Sequence, residues 1–329
     1  MKNLKAFLAK FDTVQEIEIG STTDKKYCVE LDGIESFLRV GNLSDYHRFE
    51  SSFERSKIFL ENGIPTPEPL ELNTYGDIVY ARYEMIKNSK ILVDLLRSKN
   101  KIYRPEEKYD KGILAGQYLK QIHNLKVKPS DINWLMEFET QLISAIEMFK
   151  EEFPTGAKSP NDMLIIADDL LKYFEQRKEA IAKRPNSILH GDFSPINVIM
   201  QGEKMWIVDL GLEEGDPYFD FKKVIYGREI RTFDKKNPAA FFSSGVIDGY
   251  FNTKDLLDVP MEFWELFKLY TLADKYIRFA KNIWSEEVIR NRLENKLLSL
   301  VKNYQSWDNA IPSWYLNTKE KLKELNQNK

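Results

Sequence analysis

The sequence predicts an α+β protein of two lobes, a small β-rich N-terminal lobe over residues 1–87 and a larger, mostly helical C-terminal lobe over 88–329. Three observations predict it. Alternating apolar and polar residues punctuated by turn signals fill 14–40, helical periodicity takes over from about residue 91, and a polar loop between short apolar runs interrupts the helices at 188–209.

In chain order, 14–19 reads as a strand, 20–25 as a loop and 26–31 as a second strand. Asp32-Gly33 is a strong hairpin signal, because a two-residue turn needs positive φ at both positions, and it leads into a third strand over 34–40. Residues 44–62 read as a helix with Ser44 as N-cap and Gly63 as stop. Prolines at 65, 67 and 69 remove backbone donors and forbid helix, so 64–69 is an extended connector. A further strand spans 77–86. Helical periodicity marks 91–98, 106–124, 131–152, 161–183, 261–281 and 286–306, and the polar residues 318–329 are expected to fray. There is no internal repeat and no low-complexity tract.

The composition, 43% hydrophobic and 30% charged, is that of a folded soluble protein. Lys plus Arg (48) nearly balances Asp plus Glu (51), which argues against nucleic acid as the main partner. One cysteine, Cys28, excludes an intramolecular disulfide, and three histidines make a histidine-rich metal site an unlikely design. The N-terminus lacks the apolar core of a signal peptide and no run approaches a membrane span, so a cytoplasmic protein without membrane partners is expected.

The chemistry concentrates at 188–209. Asp192, Asn197 five residues later and Asp209 sit between the apolar runs 187–189, 198–200 and 205–208, a pattern that predicts a β-hairpin presenting polar loops. Phosphoryl transfer from a nucleotide uses this set of groups: one carboxylate orients a hydroxyl and takes its proton, and an oxygen-donor pair holds magnesium on the phosphates. Asp and Asn also favour turns, but a turn does not call for Asp209.

The order His190-Gly191-Asp192, Asn197, Asp209 resembles the catalytic and metal segment of the aminoglycoside phosphotransferase/choline kinase family, small-molecule kinases with a bilobal protein-kinase-like fold. The likeness runs from about Val14 to Tyr315, and 238–251 with 259–264 resembles a bacterial branch named after aminoglycoside phosphotransferases. The resemblance implies ATP (or GTP) as donor, Mg2+ as cofactor and a small-molecule hydroxyl acceptor. An aminoglycoside-like compound, choline, a sugar and homoserine are the candidate acceptors. A nucleotide-binding regulatory protein with little catalysis is the alternative from another class.

Carried over residue by residue, the resemblance assigns Asp192 to the acceptor hydroxyl and Asn197 and Asp209 to the metal. It lays Gly20 and Thr22 over the nucleotide phosphates and makes Arg39, on the third strand where Lys is usual, the phosphate cation, with an exposed strand arginine as the other reading. Glu54, or Glu50 one turn earlier, is expected to hold Arg39. Glu84 and Met85 lie in a hinge over 83–87 that would offer backbone groups to adenine, with Asn88 where the family often has glycine. His190 would order the catalytic loop, and His123 would pack behind it. Gly215, Asp216, Pro217 and Asp220 match the family's segment, here about one residue shorter than in many members. Asp220 would brace the loop backbone, unless both aspartates are merely solvated. Gly191 replaces the protein-kinase arginine and no long activation segment follows Asp209, so no protein substrate is expected.

Helices at 261–281 and 286–306 are expected to wall the acceptor pocket with Glu262, Glu265, Asp274, Glu286 and Glu287 beside Trp264, Tyr270, Tyr276 and Trp284. Such a wall suits a cation. The competing reading places the carboxylates on solvated faces and the aromatics in the core, and Lys268, Lys275, Arg278 and Lys281 dilute the acidic character.

Overall fold

The structure, a computed structural model, describes residues 2–17, 24–98, 102–126, 133–151, 158–211, 213–224 and 239–327. Two compact units emerge: Met1–Asn100 with Pro195–Leu212, and Lys101–Ser194 with Glu213–Lys329. The hairpin that follows Ser194 therefore groups with the β-rich unit, and that unit runs past residue 87, where the sequence divides the lobes.

The first unit is built on an antiparallel sheet of β1 (Thr13–Glu16), β2 (Lys25–Leu31), β3 (Ile34–Asn42), β4 (Pro69–Tyr75) and β5 (Ile78–Glu84), in the order β1-β2-β3-β5-β4. Asp32 (φ 51°) and Gly33 (φ 74°) form the predicted turn and set the register. Side chains alternate between two cores. Tyr27, Val29, Leu38, Val40, Ile78 and Tyr80 pack with Phe7 of a short helix, α1 (Leu4–Leu8), while Val79, Ala81 and Tyr83 pack with Phe49 and Phe53 of α2 (Tyr46–Glu61). β5 is thus covered on both faces, which is why it reads as an apolar run.

Ser44 does not cap α2. It lies inside a 3-10 turn, Leu43–Asp45, and Asp45 is the residue that reaches back, accepting the Asn42 N–H at 3.2 Å. Gly63 (φ 74°) ends the helix as expected. β4 escapes the sequence reading because it begins at Pro69, which an edge strand tolerates at its first residue. The same unit holds a second sheet of β6 (Lys90–Ile91), β8 (Val198–Gln201) and β9 (Lys204–Ile207), followed after β6 by α3 (Leu92–Arg97).

The second unit contains α4 (Pro105–His123), α5 (Trp134–Glu151), α6 (Pro160–Glu175), α7 (Lys178–Ala182), α8 (Phe241–Phe251), α9 (Met261–Lys281), α10 (Glu287–Lys302) and α11 (Ser313–Gln327). The helix predicted over 161–183 is broken in two between Glu175 and Lys178. β7 (Ser187–Ile188) pairs with β10 (Glu214–Gly215), and a 3-10 segment spans Pro217–Lys223. α4 and α8 cross at glycines: an added Cβ on Gly112, Gly116, Gly245 or Gly249 would lie 2.1–2.2 Å from a backbone oxygen of the facing helix. Asp248, fully buried at this crossing, accepts hydrogen bonds from the hydroxyls of Tyr109 and Tyr315 and from the ammonium of Lys319. The expected frayed tail is instead α11, pinned by buried Thr318, whose Oγ1 accepts the Ala240 N–H at 2.8 Å. Among the described residues no helix is long and apolar enough to cross a membrane.

Candidate active site

In the first unit, Arg39 stands on β3 as predicted, but its carboxylate partner is not on α2. Glu54 is exposed and bonded to Lys57 at 2.7 Å, and Glu50 faces His47 at 3.4 Å. Arg39 is held instead by Asp24, at the mouth of β2, which accepts its Nη2 at 2.7 Å and both terminal nitrogens of Arg48 at 2.9 and 2.5 Å. The expected Glu54–Arg39 pair is thus corrected: a buried carboxylate on the neighbouring strand is nearer than any on the helix. Burial would raise Asp24, but hydrogen bonds from Arg48 and Arg39 outweigh it and hold the carboxyl below its ordinary range.

Both guanidinium groups also lie over the Phe49 ring, at 5.3 and 5.1 Å. Arg39 Nε is buried without a hydrogen-bond partner among the described residues, a spare donor at the place where a phosphate is expected. Lys26 faces Arg39 across the β2–β3 ladder; burial and then the charge of Arg39 lower its pKa, opposed by Asp209 and Asp24. Gly20 and Thr22 lie outside the described residues.

Asp24→Asn is expected to destabilise the protein by about 3 kcal/mol, since it leaves two guanidinium groups short of charge. It should also flatten the acid limb of stability. Because the folded pKa of Asp24 lies below the unfolded value of about 3.9, its contribution is present above that pH and lost as pH falls through the folded pKa. Urea unfolding of both proteins between pH 7 and about pH 3 checks this; parallel curves of equal midpoint would sink it.

Glu84 closes β5, where its N–H donates to the Glu68 carbonyl at 2.8 Å, and Met85 follows it out of the strand. Asn88, where the family often has glycine, adopts φ 54°, the left-handed conformation that Asn tolerates best among residues with a side chain. The substitution therefore keeps the turn.

The structure places Asn197 across the hairpin from the residue that precedes Asp209. Asn197 ends a 3-10 turn, Pro195–Asn197, and its carbonyl accepts the Val208 N–H at 3.0 Å, just beyond the Val198–Ile207 pair. Asp209 is exposed and held at φ 59°. A non-glycine residue there costs about 1–3 kcal/mol, strain of the kind kept at functional positions. Asn197 and Asp209 both carry side-chain oxygens, the donor type that magnesium takes, with one or two from protein and the rest of its shell from phosphate and water.

In the second unit, Asp192 presents a carboxylate that is 54% exposed, with Lys223 Nζ at 3.6 Å. The loop bearing it is braced by Asp220, which is fully buried. Asp220 accepts the His190 N–H at 2.6 Å, the Gly191 N–H at 2.7 Å and a hydrogen bond with His123 Nε2 at 3.0 Å; His123 Nδ1 meets the Tyr250 hydroxyl at 3.0 Å. Burial pushes Asp220 up, but His123 and the loop amides reverse it and leave its pKa lowered. Gly191 has φ 82°, so the residue before Asp192 must be glycine for backbone reasons. His190 is buried against Phe193 and its ring faces the Asp192 N–H at 3.4 Å, an ordering role. Asp216 is buried as well: it accepts the Tyr218 N–H and the Tyr270 hydroxyl, each at 2.9 Å, and pairs with Arg184. Solvation of either aspartate is thereby excluded.

Of the two readings of the acidic and aromatic residues on these helices, the structure favours the one that places the aromatics in the core. Trp264, Tyr270 and Tyr276 are fully buried core residues, and only Trp284 of that group is exposed, at 73%. Glu262 pairs with Arg184 at 2.9 Å, Glu265 with Arg177 at 3.0 Å and Asp274 with Lys275 at 2.5 Å. Lys268 spends its ammonium on the carbonyls of Ser306, Trp307 and Asn309 at 2.9–3.1 Å.

Sequence reasoning missed Asp24, Arg48, Lys26 and Lys223. The signal for Lys26 was there: a two-residue turn at Asp32-Gly33 pairs positions whose numbers sum to 65, which puts Lys26 opposite Arg39. Asp24 and Lys223 carried none, because their partners are set by tertiary packing.

Residues 13–251 match a family model described as "Phosphotransferase enzyme family". Three solved structures are similar over nearly the whole chain. An aminopropanol kinase associated with a microcompartment is 14% identical, covering 94% of this chain and 99% of its own, with a TM-score of 0.65. A streptomycin–ATP ternary complex of APH(2")-IIa is 15% identical over 90% and 95%, with a TM-score of 0.60. Spectinomycin phosphotransferase APH(9)-Ia, in complex with ADP and its antibiotic, is 13% identical over 94% and 94%, with a TM-score of 0.56. At these identities the likeness is one of fold, and the fold is kinase-like. No curated protein matches the chain in sequence.

Proposed function

The chain belongs to the phosphotransferase enzyme family, and from that premise we propose that it moves the γ-phosphoryl group of ATP to a hydroxyl of a small molecule. The observation that carries the reading is the place of Asn197 on the β8–β9 hairpin, its carbonyl bonded to Val208, the residue before strained Asp209, with Asp192 five residues earlier in the chain. Asp192 orients the acceptor hydroxyl and takes its proton. Asn197 and Asp209 would hold magnesium through oxygen, and with ATP bound it would supply charge stabilisation to the transferred phosphoryl group. Arg39, with its unpartnered Nε, and Lys26 beside it contact phosphate oxygens, and Asp24 with Arg48 keeps Arg39 in place. By the family resemblance, Gly20 and Thr22 would contact the phosphates and the backbone near Glu84 and Met85 would receive the adenine. Asp220, through His190 and Gly191, fixes where Asp192 stands.

The test is magnesium-dependent ADP release by the pure protein across aminoglycosides, amino alcohols, sugars and hydroxy acids. Acceptor-stimulated turnover is expected, and Asp192→Ala should lower kcat by about 10²- to 10⁴-fold. Tight nucleotide binding with no stimulated turnover, or turnover untouched by Asp192→Ala, would count against the reading.

A further inference from the structure

The charge around Asp192 names a substrate class. Lys223 Nζ lies 3.6 Å from Asp192 Oδ1 and 3.8 Å from Asp274 Oδ1. Both separations exceed hydrogen-bond length, so among the described residues this ammonium, on a side chain only 14% exposed, has ion-pair neighbours but no hydrogen bond for its three N–H donors. Asp274 cannot serve as a counter-ion for an incoming cation. It accepts Lys275 at 2.5 Å and has Arg278 Nε at 3.4 Å. Lys275 also donates to the Lys222 carbonyl at 3.3 Å, and Lys222 Nζ lies 3.7 Å from Glu213 and over the Phe219 ring. Among the described residues the cations Lys222, Lys223, Lys275 and Arg278 thus already engage Asp192, Asp274 and Glu213, with Asp220 acting on Lys222 as well, before any acceptor arrives.

A polycationic acceptor would place ammonium groups beside Lys223, where among the described residues each neighbouring carboxylate already faces a cation, an arrangement that disfavours binding by like-charge contact. We propose that the acceptor is an anionic hydroxyl compound, a hydroxy acid or a phosphate monoester, whose anion is taken by the spare donors of Lys223 while its hydroxyl meets Asp192. The inference rests on the phosphotransfer reading of Asp192. In the reaction the acceptor oxygen bonds to the γ-phosphorus, the bond from that phosphorus to the ADP oxygen breaks, and the hydroxyl proton passes to Asp192. Lys223, within 4 Å of that carboxylate, also offsets its repulsion of the incoming anion.

The experiment uses four probes that share a diol and differ in charge: glycerate, glycerol phosphate, glycerol and aminopropanediol, with kanamycin as a polycation. ADP release is measured for wild type, Lys223→Met and Lys223→Arg. Calorimetric binding of the same probes is measured on protein loaded with magnesium and a non-hydrolysable ATP analogue. The expected result is preferential turnover of an anionic probe. Lys223→Met should raise its KM by about 10- to 100-fold, the worth of a hydrogen bond to a charged group, with a smaller effect on kcat. Lys223→Arg should recover most of the loss, which a folding defect would not allow. Glycerate and glycerol phosphate separate the carboxylate and phosphate forms of the proposal. Turnover of only the neutral or cationic probes would overturn it and leave phosphotransfer standing. If no probe releases ADP, the binding arm decides: anion binding lost in Lys223→Met supports the anion site, and absent or Lys223-independent binding overturns it.

Discussion

Gly245→Ala is expected to destabilise the protein by about 3 kcal/mol, at the upper end of the usual range for overpacking. A Cβ at this position would lie 2.1 Å from the Tyr109 carbonyl oxygen and 3.0 Å from Gly112 Cα, so the obstacle is backbone and no rotamer change can remove it. Helix propensity pulls the other way, since Ala in a helix interior is favoured over Gly by about 1 kcal/mol. The sign of the measured change therefore separates the two effects.

Gly112→Ala meets the same crossing from the other side, 2.2 Å from the Phe242 oxygen and 2.9 Å from Gly245 Cα. Once one alanine has forced α4 and α8 apart, the second meets less resistance, and the double mutant should cost less than the sum. The damage should reach function as well. α8 carries Tyr250, whose hydroxyl holds His123, and His123 holds the aspartate under the catalytic loop. Urea unfolding of the four proteins of the cycle, with ADP release on each, is the measurement; a stabilised Gly245→Ala would show that the helices do not cross this closely.

This crossing also marks where the sequence stops being readable. α8 is apolar on nearly every side, with Phe241, Phe242, Val246, Ile247 and Tyr250 all buried, so it has no period that would distinguish it as a helix. α11 has the opposite character: a mostly polar helix looks like a loose tail until Trp314, Tyr315 and Thr318 are seen to share a buried face. β2 and β3 could be read because the Asp32-Gly33 turn fixes their register locally. In the candidate site, Asp192, Asn197 and Asp209 stand out in the sequence because the phosphotransfer proposed above would use them at short fixed spacing. The partner of Arg39 was not, because the choice between α2 and β2 is made by how the chain returns in space. The acceptor side failed for a related reason. Composition shows which helices carry carboxylates and aromatics, but only packing shows that Glu262, Glu265 and Asp274 already have cations and that Trp264, Tyr270 and Tyr276 belong to the core.

Asp220→Asn is expected to lower kcat by about 100-fold, the loss that a displacement of about 1 Å in a reacting group produces, while leaving the fold intact. Asp220 is an acceptor at both oxygens: Oδ1 takes the Gly191 N–H, and Oδ2 takes the His190 N–H and faces His123 Nε2. A carboxamide of the same shape can keep only one of these oxygens. If its oxygen stays with Gly191, its NH2 group points at the His190 N–H, donor against donor. His123 can accommodate the change by switching tautomer and donating from Nδ1 to Tyr250, but the amide cannot. One buried N–H is left unsatisfied, at about 1–3 kcal/mol, and the loop relieves it by moving. Asp192 lies one residue beyond Gly191, so it moves too. His123→Gln removes a single partner of Asp220 and leaves both amides bonded, so its effect on kcat should be much smaller. Asp220→Ala should cost stability as well, because it empties the site of every acceptor. The order of kcat values, wild type above His123→Gln above Asp220→Asn, with melting temperatures of the first three close together, identifies Asp220 as the residue that positions the base. A normal kcat in Asp220→Asn would mean that the loop holds its shape without the carboxylate.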